Sequence, residues 1–347
     1  MAPAVSNLRR TPLYDRQVAH GARFVDFGGW ELPVQFSSIS DEHRAVRTSA
    51  GIFDVSHMGQ LEIRGPAAHE YLQARLSNDL DRIGAGEAQY TLLTNEQGGI
   101  LDDLIAYRDD DGYLLVVNAA NTEADAAVLA ETSDVSERWA MLAVQGPEAL
   151  QALDATIEPF SWRKDIVLGI DCLVAGTGYT GEDGCELLCS PDDAPALWDA
   201  IVARGVTPCG LGARDILRLE VCYPLHGQDI TPETDPFAAS LGWAVRTKTE
   251  FTGVERLREI KEDGPAEKLV PFEMVDRAIP RPGMSILHLG RVTSGGHSPM
   301  LKRGIGLGYV ASEHAELGSE LVIDVRGNER CARIVARPIY RPQEEQS

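Results

Sequence analysis

Two adjacent carboxylates, Asp102 and Asp103, follow a Gly98–Gly99 turn and begin an apolar run that ends at Tyr107. The pattern predicts a turn leading into a β-strand, because glycine frees the backbone and branched and aromatic residues favour strands. Neighbouring strand positions face opposite ways, so Asp103 shares a face with Tyr107 and Asp102 points the other way. A carboxylate beside an apolar pocket is costly unless it is hydrogen-bonded or used in chemistry. Asp103 is therefore a candidate for proton handling; the alternative is a solvated acid pair at the end of a hairpin.

The overall charge limits the partners of this chain. With 53 Asp and Glu against 32 Lys and Arg, the 347-residue chain has a formal net charge of −21. A surface for nucleic acid or an anionic membrane needs clustered Lys and Arg, so the balance argues against both. The same balance is also typical of a salt-adapted proteome, and the sequence leaves that open.

The cysteines indicate a reducing compartment and no metal site. The six cysteines form no CxxC pair and no zinc-type spacing with histidine. Scattered reduced thiols are typical of a cytoplasmic protein. The first ten residues hold no apolar stretch of signal-peptide length, and no run approaches the length of a membrane span.

The pattern of elements predicts an α+β protein with more than one domain, because the chain is too long for one ordinary core. Two similar blocks of strands and helices, at about 52–135 and 139–245, suggest an internal duplication. With 12–51 packed alongside, they would form a module over 12–263. From 267 to 343, short strands with glycine turns predict a β-barrel or jelly roll.

Individual elements are predicted from their periodicity. Gly51–Ile63 and Ile166–Ala175 each read as one strand, and Thr122–Thr132 as a helix. The helix predicted at Gly210–Glu220 places Arg214 and Arg218 one turn apart on one face.

Several phrases in chain order together resemble one family, the aminomethyltransferases (T-proteins) of the glycine cleavage system, which are folate-binding transferases. The phrases cover nearly the whole chain and are Val25–Trp30, Phe53–Met58, Gly98–Tyr107, Val116–Asn121, Gly178–Gly184 with Glu186, Gly210–Glu220, Gly227–Asp229 and Val292–Gly295. The resemblance implies a folate-binding module of two ferredoxin-like halves around a central channel, followed by a C-terminal β-barrel.

The resemblance also implies a reaction and its partners. An aminomethyl group carried on the lipoyl arm of the H-protein would meet tetrahydrofolate, the co-substrate. The products would be 5,10-methylenetetrahydrofolate, ammonia and the dihydrolipoyl H-protein, with no metal required. Because H-proteins of this family are typically acidic, docking on a chain of charge −21 needs a local basic patch. The first candidates are Arg246 and Lys248, which lie two apart after a predicted Leu241–Trp243 strand and would share a face; a solvated strand edge is the alternative for this pair. The other candidates are Lys261, Lys268 and the adjacent pair Lys302–Arg303.

The family's catalytic acid matches Asp103. By the same resemblance, folate contacts are expected at Met58, Tyr90, Tyr107, Asn118, Tyr179, Glu186, Arg214 and Tyr340. These types suit folate, since amides and carboxylates pair with pterin donors, aromatics cover flat rings and arginine holds an anionic tail. Plain core packing is the alternative for each tyrosine. His57 is interpreted as structural, and Arg218 as the partner of an acid. His226 stands where the family usually has tyrosine.

Three other functions are weighed against this one. A folate-binding iron–sulfur repair factor carries a Lys-Gly-Cys-Tyr motif, whereas this chain has Lys248–Gly253 without cysteine at that place. A folate-dependent demethylase of a methylated amine or a sulfonium compound shares the fold and the acid; many are fused to a flavin domain, for which the chain has no glycine-rich fingerprint. A scaffold that only docks the lipoyl protein would leave Asp103 unexplained.

Overall fold

The computed structural model describes residues 8–341, which fold into two units. The first unit holds the chain up to Met58 together with Val135–Asp215. The second holds Gly59–Asp134 and the chain from Ile216 onward.

Helices lie between groups of strands up to residue 263, and strands with one 3₁₀ helix make up the regular structure of the described chain after it. The α-helices are α1 Tyr14–Ala19, α2 Ile39–Thr48, α3 Ala68–Gln73, α4 Thr122–Val128, α5 Ala149–Ala152, α6 Ala194–Ala203, α7 Leu211–Glu220 and α8 Val254–Asp263. The strands before α7 are β1 Arg23–Phe27, β2 Trp30–Gln35, β3 Gly51–Asp54, β4 Gly59–Arg64, β5 Ala88–Thr94, β6 Ile100–Arg108, β7 Gly112–Val117, β8 Ser133–Asp134, β9 Ala140–Gln145, β10 Trp162–Val167, β11 Ile170–Ala175, β12 Gly184–Cys189 and β13 Thr207–Pro208. The strands after α8 are β14 Glu267–Met274, β15 Ser285–Ile286, β16 Gly290–Ser298, β17 Arg303–Ala311, β18 Glu320–Asp324 and β19 Glu329–Ile334.

The first unit is built on a six-stranded sheet with the order β10-β11-β12-β9-β3-β13. Its strands pair antiparallel except β13, which lies parallel to β3. The central strand β9 is buried along its whole length, as is typical of a strand covered on both faces. Helix α6 packs its buried Trp198 and Leu197 into the same apolar core.

The second unit contains a five-stranded sheet, in the order β5-β6-β7-β4-β8, and a closed barrel of β14 to β19. The strand that carries the two acids, β6, lies between β5 and β7. The barrel closes around its own core of alternating apolar residues, among them Phe272 and Ile323. A closed barrel leaves no free strand edge.

Three predicted elements differ from the structure. Gly51–Ile63 is two strands, β3 and β4, in different sheets, because the Asp54 carboxylate accepts the Ser56 N–H (3.0 Å) and turns the chain. Ile166–Ala175 is a hairpin of β10 and β11 rather than one strand. The strand predicted at Leu241–Trp243 is wrong, since Gly242–Ala244 forms a 3₁₀ helix. Arg246 and Lys248 therefore share no strand face.

The predicted fold class, α+β with a C-terminal β-barrel, is confirmed. The domain bounds 12–263 and 267–343 stay predictions, as do the halves 52–135 and 139–245. Residues 342–343 of the predicted barrel, and most of the N-terminal stretch examined for a signal peptide, lie outside the described residues. Among residues 8–341, no helix has the length and apolar character that crossing a membrane would need.

Candidate active site

The turn before β6 fixes where the two acids emerge. The Asn95 side-chain oxygen accepts the N–H groups of Gln97 (3.0 Å) and Gly99 (2.9 Å). Gly98 has a φ of +78°, a conformation that favours glycine. A Cβ on Gly99 would lie 1.8 Å from the Pro232 carbonyl oxygen, so no larger residue fits without moving the backbone. The turn that precedes β6 therefore requires both glycines.

Asp102 is completely buried on the core face of β6, across from Leu93 on β5. It accepts the backbone N–H of Asn118 (3.0 Å) and the side-chain amides of Asn118 (2.8 Å) and Asn121 (2.5 Å). Three N–H donors offset the cost of burying a carboxylate. Asp102 points away from the face of Asp103, as the alternation of strand positions predicts.

Asp103 lies on the other face of β6 and is half-buried. Its carboxylate accepts the Asn118 side-chain amide (2.9 Å) and the Tyr90 hydroxyl (3.1 Å). The Tyr90 ring stacks on Trp243, with ring centroids 5.2 Å apart. Trp243 is 56% exposed, so this aromatic pair lies at the surface of the second unit.

Burial and one neighbouring carboxyl group, that of Asp102, change the acidity of Asp103. Burial, followed by repulsion from Asp102, raises the pKa of Asp103 to about 7. The hydrogen bonds from Tyr90 and Asn118 act in the opposite direction. A carboxyl group with a pKa near 7 exchanges its proton readily at neutral pH, which suits general acid–base chemistry.

His226 adds an imidazole to this group. The Asn121 side-chain nitrogen lies 3.0 Å from His226 Nδ1 and also donates to Asp102. His226, which stands where the family usually has tyrosine, is therefore linked to Asp102 through the side-chain amide of Asn121.

In the first unit, Arg214 on α7 lies over the ring of Tyr179, with 4.8 Å from the guanidinium carbon to the ring centroid. Burial lowers the pKa of Arg214, while Glu186 and Tyr179 act to raise it. Its Nη1 is buried and has no hydrogen-bond acceptor within residues 8–341. Glu186, on β12, accepts the hydroxyl of Thr177 (2.5 Å). An arginine nitrogen left in this state fits an anionic ligand group, because an unsatisfied buried donor is costly.

His57 is neutral in this unit. Burial, with the positive charge of Arg214 as a second cause, lowers its pKa to about 3. Its ring meets Phe27 edge-on, with centroids 5.8 Å apart. This environment fits the interpretation of His57 as structural.

The predicted site residues fall into two groups and three separate positions. Asp103, Tyr90 and Asn118 form one hydrogen-bonded group. In the other group, Arg214 contacts the Tyr179 ring, and Glu186 acts electrostatically on Arg214. Met58 ends a turn in the first unit and is half-buried. Tyr107 is completely buried on β6. The buried Tyr340 donates its backbone N–H to the Glu220 carbonyl (2.9 Å).

The prediction for Arg218 is confirmed. Its guanidinium donates to the Asp229 carboxylate (2.6 Å) and to the Ser294 hydroxyl (2.8 Å), and all three side chains are buried.

Sequence reasoning missed Asn121 and Asp125. Asp125 is four residues before the buried Leu129, so the two share one face of the helix. An acid on the apolar face of a predicted helix was the signal that could have identified it. Within residues 8–341, no cluster of three or more His, Cys, Asp or Glu side chains is arranged to hold a metal ion. A surface cavity of about 390 Å³ beside β10 and β11 includes Trp139, Ile166 and Cys172 but none of the predicted site residues.

Two family models match the chain. The model described as the GCVT N-terminal domain matches residues 13–249. The model described as the glycine cleavage T-protein C-terminal barrel domain matches residues 267–341, which include all the barrel strands.

Whole-chain relatives agree with these models. The chain is 48% identical to the aminomethyltransferase of Geobacillus kaustophilus and 47% identical to that of Geobacillus thermodenitrificans. Each comparison covers 96% of this chain and 99% of the relative. The crystal structure of the glycine cleavage system aminomethyltransferase T from Bartonella henselae superimposes with a TM-score of 0.91 at 32% identity. That match covers 97% of this chain and 99% of the other. The chain therefore belongs to the aminomethyltransferase (T-protein) family of the glycine cleavage system, and it is an enzyme of that family.

Proposed function

We propose that this enzyme transfers the one-carbon unit from the aminomethyl-lipoyl arm of the H-protein to tetrahydrofolate. The products are 5,10-methylenetetrahydrofolate, ammonia and the dihydrolipoyl H-protein. The single observation that carries the proposal is the Asp103 carboxyl, half-buried, hydrogen-bonded to Tyr90 and Asn118, with its pKa raised to about 7. Family membership supports the assignment of the reaction, and the Asp103 carboxyl supports the assignment of the group that handles its protons.

The overall reaction needs two protons to move. Tetrahydrofolate gives up two N–H hydrogens as it accepts the carbon, and one ends on ammonia and the other on the lipoyl sulfur. A group with a pKa near 7 can take up one of these protons and return it. In its charged form, the Asp103 carboxylate also stabilises positive charge that develops on the carbon being transferred.

The surrounding residues hold that carboxyl in place. Tyr90 binds one oxygen of Asp103 and Asn118 binds the other. Asp102 stays buried behind them and adds a negative charge that raises the pKa of Asp103. The aromatic pair Tyr90 and Trp243 offers a flat surface against which the folate rings can lie.

We further propose that Arg214, Tyr179 and Glu186 contact the folate, with the guanidinium of Arg214 on an anionic part such as the glutamate tail. The buried Nη1 of Arg214, which has no acceptor in the described residues, supports this role. The contacts expected at Met58, Tyr107 and Tyr340 are proposed on the resemblance alone. No metal is part of the proposal, and the cytoplasm is the proposed location.

The test is an assay with purified H-protein loaded with the aminomethyl group and with tetrahydrofolate. Formation of methylenetetrahydrofolate and of ammonia in equal amounts is the expected result. Sarcosine, dimethylglycine and a sulfonium donor run in parallel test the alternative folate-dependent demethylase. Product from one of those donors and none from the H-protein would overturn the proposal.

A further inference from the structure

The acid that the proposed mechanism leaves unused is Asp125, on α4. It is 2% exposed, and its carboxyl lies against that of Asp102. Its Oδ2 is buried and has no hydrogen-bond partner within the described residues. Its backbone N–H donates to the carbonyl of Asn121 (2.8 Å), which fixes the start of the helix beside the acid pair.

The hydrogen-bond donors around these acids are shared unequally. Asp102 accepts three N–H groups, from Asn118 and Asn121, and Asp103 accepts the amide of Asn118 and the hydroxyl of Tyr90. Within residues 8–341, no N–H or hydroxyl donor reaches Oδ2 of Asp125. A buried carboxylate without a donor, beside another carboxylate, is strongly disfavoured.

Two carboxyl groups in contact can share one proton, and that proton then makes the hydrogen bond between them. Because the N–H donors point at Asp102, the proton resides on Asp125. The pKa of Asp125 is raised to about 10, first by burial, then by repulsion from Asp102 and by the hydrogen bond to it, with Asp103 as the smallest cause.

Within residues 8–341, neither of the two strands that make most contacts with α4 supplies a cation that offsets these charges. Helix α4 packs against β4 and β8, whose titratable residues are Glu62, Arg64 and Asp134. Arg64 donates to Glu62 (2.7 Å), and the charges that act on Asp125 are those of Asp102 and Asp103.

We propose that Asp125 is a positioning residue that carries a proton in the folded enzyme and donates it in a hydrogen bond to Asp102, so that Asp102 remains the anion beside Asp103. Asp125 thus maintains the charge that keeps the proton of Asp103 exchangeable. The part of this inference that concerns turnover rests on the proposed role of Asp103; the part that concerns the proton does not.

The first experiment measures the proton through stability. The Asp125→Asn variant keeps the shape and replaces the O–H donor with an N–H donor. In the wild type, a carboxyl that is neutral when folded ionises on unfolding, where its pKa is close to 3.8. Its contribution to stability is therefore fully present below about pH 4 and is lost progressively as the pH rises toward 10. The midpoint of thermal unfolding of Asp125→Asn, relative to the wild type, should rise steadily between pH 6 and pH 9.

A matched control is Glu123→Gln, since Glu123 is an exposed acid on the same helix. Its unfolding midpoint relative to the wild type should stay constant over the same pH range. If the difference for Asp125→Asn is equally constant, Asp125 is ionised in the folded protein and the inference is wrong.

The second experiment measures turnover in the complete assay with loaded H-protein. Asp125→Leu removes the donor, and kcat should fall at least ~10-fold, the effect of losing one hydrogen bond to a charged group. The KM for tetrahydrofolate should stay unchanged, and Asp125→Asn should recover most of the lost rate. The pH midpoint assigned to Asp103 should move downward in Asp125→Leu only, because Asp102 then takes up a proton and its negative charge no longer raises the pKa of Asp103.

If the wild type, Asp125→Leu and Asp125→Asn show the same dependence of turnover on pH, Asp125 has only a structural role and the inference about turnover is wrong. A wild type without aminomethyl transfer would instead defeat the proposed function, while the stability experiment would still decide where the proton resides.

Discussion

Replacing Arg214 by lysine tests the folate site through the one buried guanidinium nitrogen for which the described residues supply no acceptor. Lysine keeps the positive charge but loses the planar guanidinium group and its contact with the Tyr179 ring. In the structure, the guanidinium carbon of Arg214 lies 4.8 Å from the centroid of that ring. A hydrogen bond to a charged group contributes about 1.5–3 kcal/mol. Since lysine recovers part of this as a point charge, the Kd for tetrahydrofolate should rise about tenfold, or about 1.4 kcal/mol.

The assay is titration calorimetry with two ligands, tetrahydrofolate and tetrahydropteroate, which lacks the glutamate tail. The tenfold loss should appear with tetrahydrofolate only, because the second ligand lacks the glutamate carboxylates and keeps only the carboxylate of its benzoate ring. The control is Arg218→Lys, which disturbs the buried ion pair with Asp229 and should lower the unfolding temperature without changing folate affinity. Equal losses for both ligands would show that Arg214 does not hold the tail, and unchanged affinity for both would remove it from the site.

Three further outcomes are expected. Asp102→Asn should lower the unfolding temperature by several degrees, because an amide would turn its N–H groups toward the donors of Asn118 and Asn121; the same change at exposed Asp134 should have no effect. At saturating H-protein, kcat/KM for tetrahydrofolate should rise through about pH 7, since the raised pKa of Asp103 keeps the carboxyl neutral below that value; a profile without a limb near pH 7 would contradict the assignment. Arg246 and Lys248 share no strand face but are two cations only two residues apart; reversing both to Glu should raise the KM for the H-protein at low salt and leave the KM for tetrahydrofolate unchanged, with a defect that shrinks as salt rises.

The fold was predictable where local pattern and packing agree. The glycine-turn barrel after residue 267 and the apolar strand after Asp103 were both read from residue types alone. The prediction failed at Asp54, because a side chain that accepts the N–H two residues later broke one alternating run into strands of two sheets. It failed again at Gly242–Ala244, where a short apolar stretch formed a 3₁₀ helix.

The sequence identified residues that the structure brings together, but it did not give the hydrogen bonds that join them. Asp103 and Asn118 were identified from matched phrases, and the structure joins them by a 2.9 Å hydrogen bond. Period-2 reasoning placed Asp102 on the opposite face, yet it could not show that the Asn118 side chain reaches carboxylates on both faces. Asp125 could not be placed beside Asp102 from the sequence, because its burial there depends on how α4 packs on the sheet.

Turnover by Asp103→Asn tests the central claim most directly. The substitution keeps the shape and removes the exchangeable proton, so single-turnover transfer from loaded H-protein to tetrahydrofolate should slow at least ~10²-fold. Calorimetry on the same preparation should show that tetrahydrofolate still binds. A rate within about threefold of the wild type, a difference of under about 1 kcal/mol in barrier, would contradict the assignment of Asp103 as the catalytic acid.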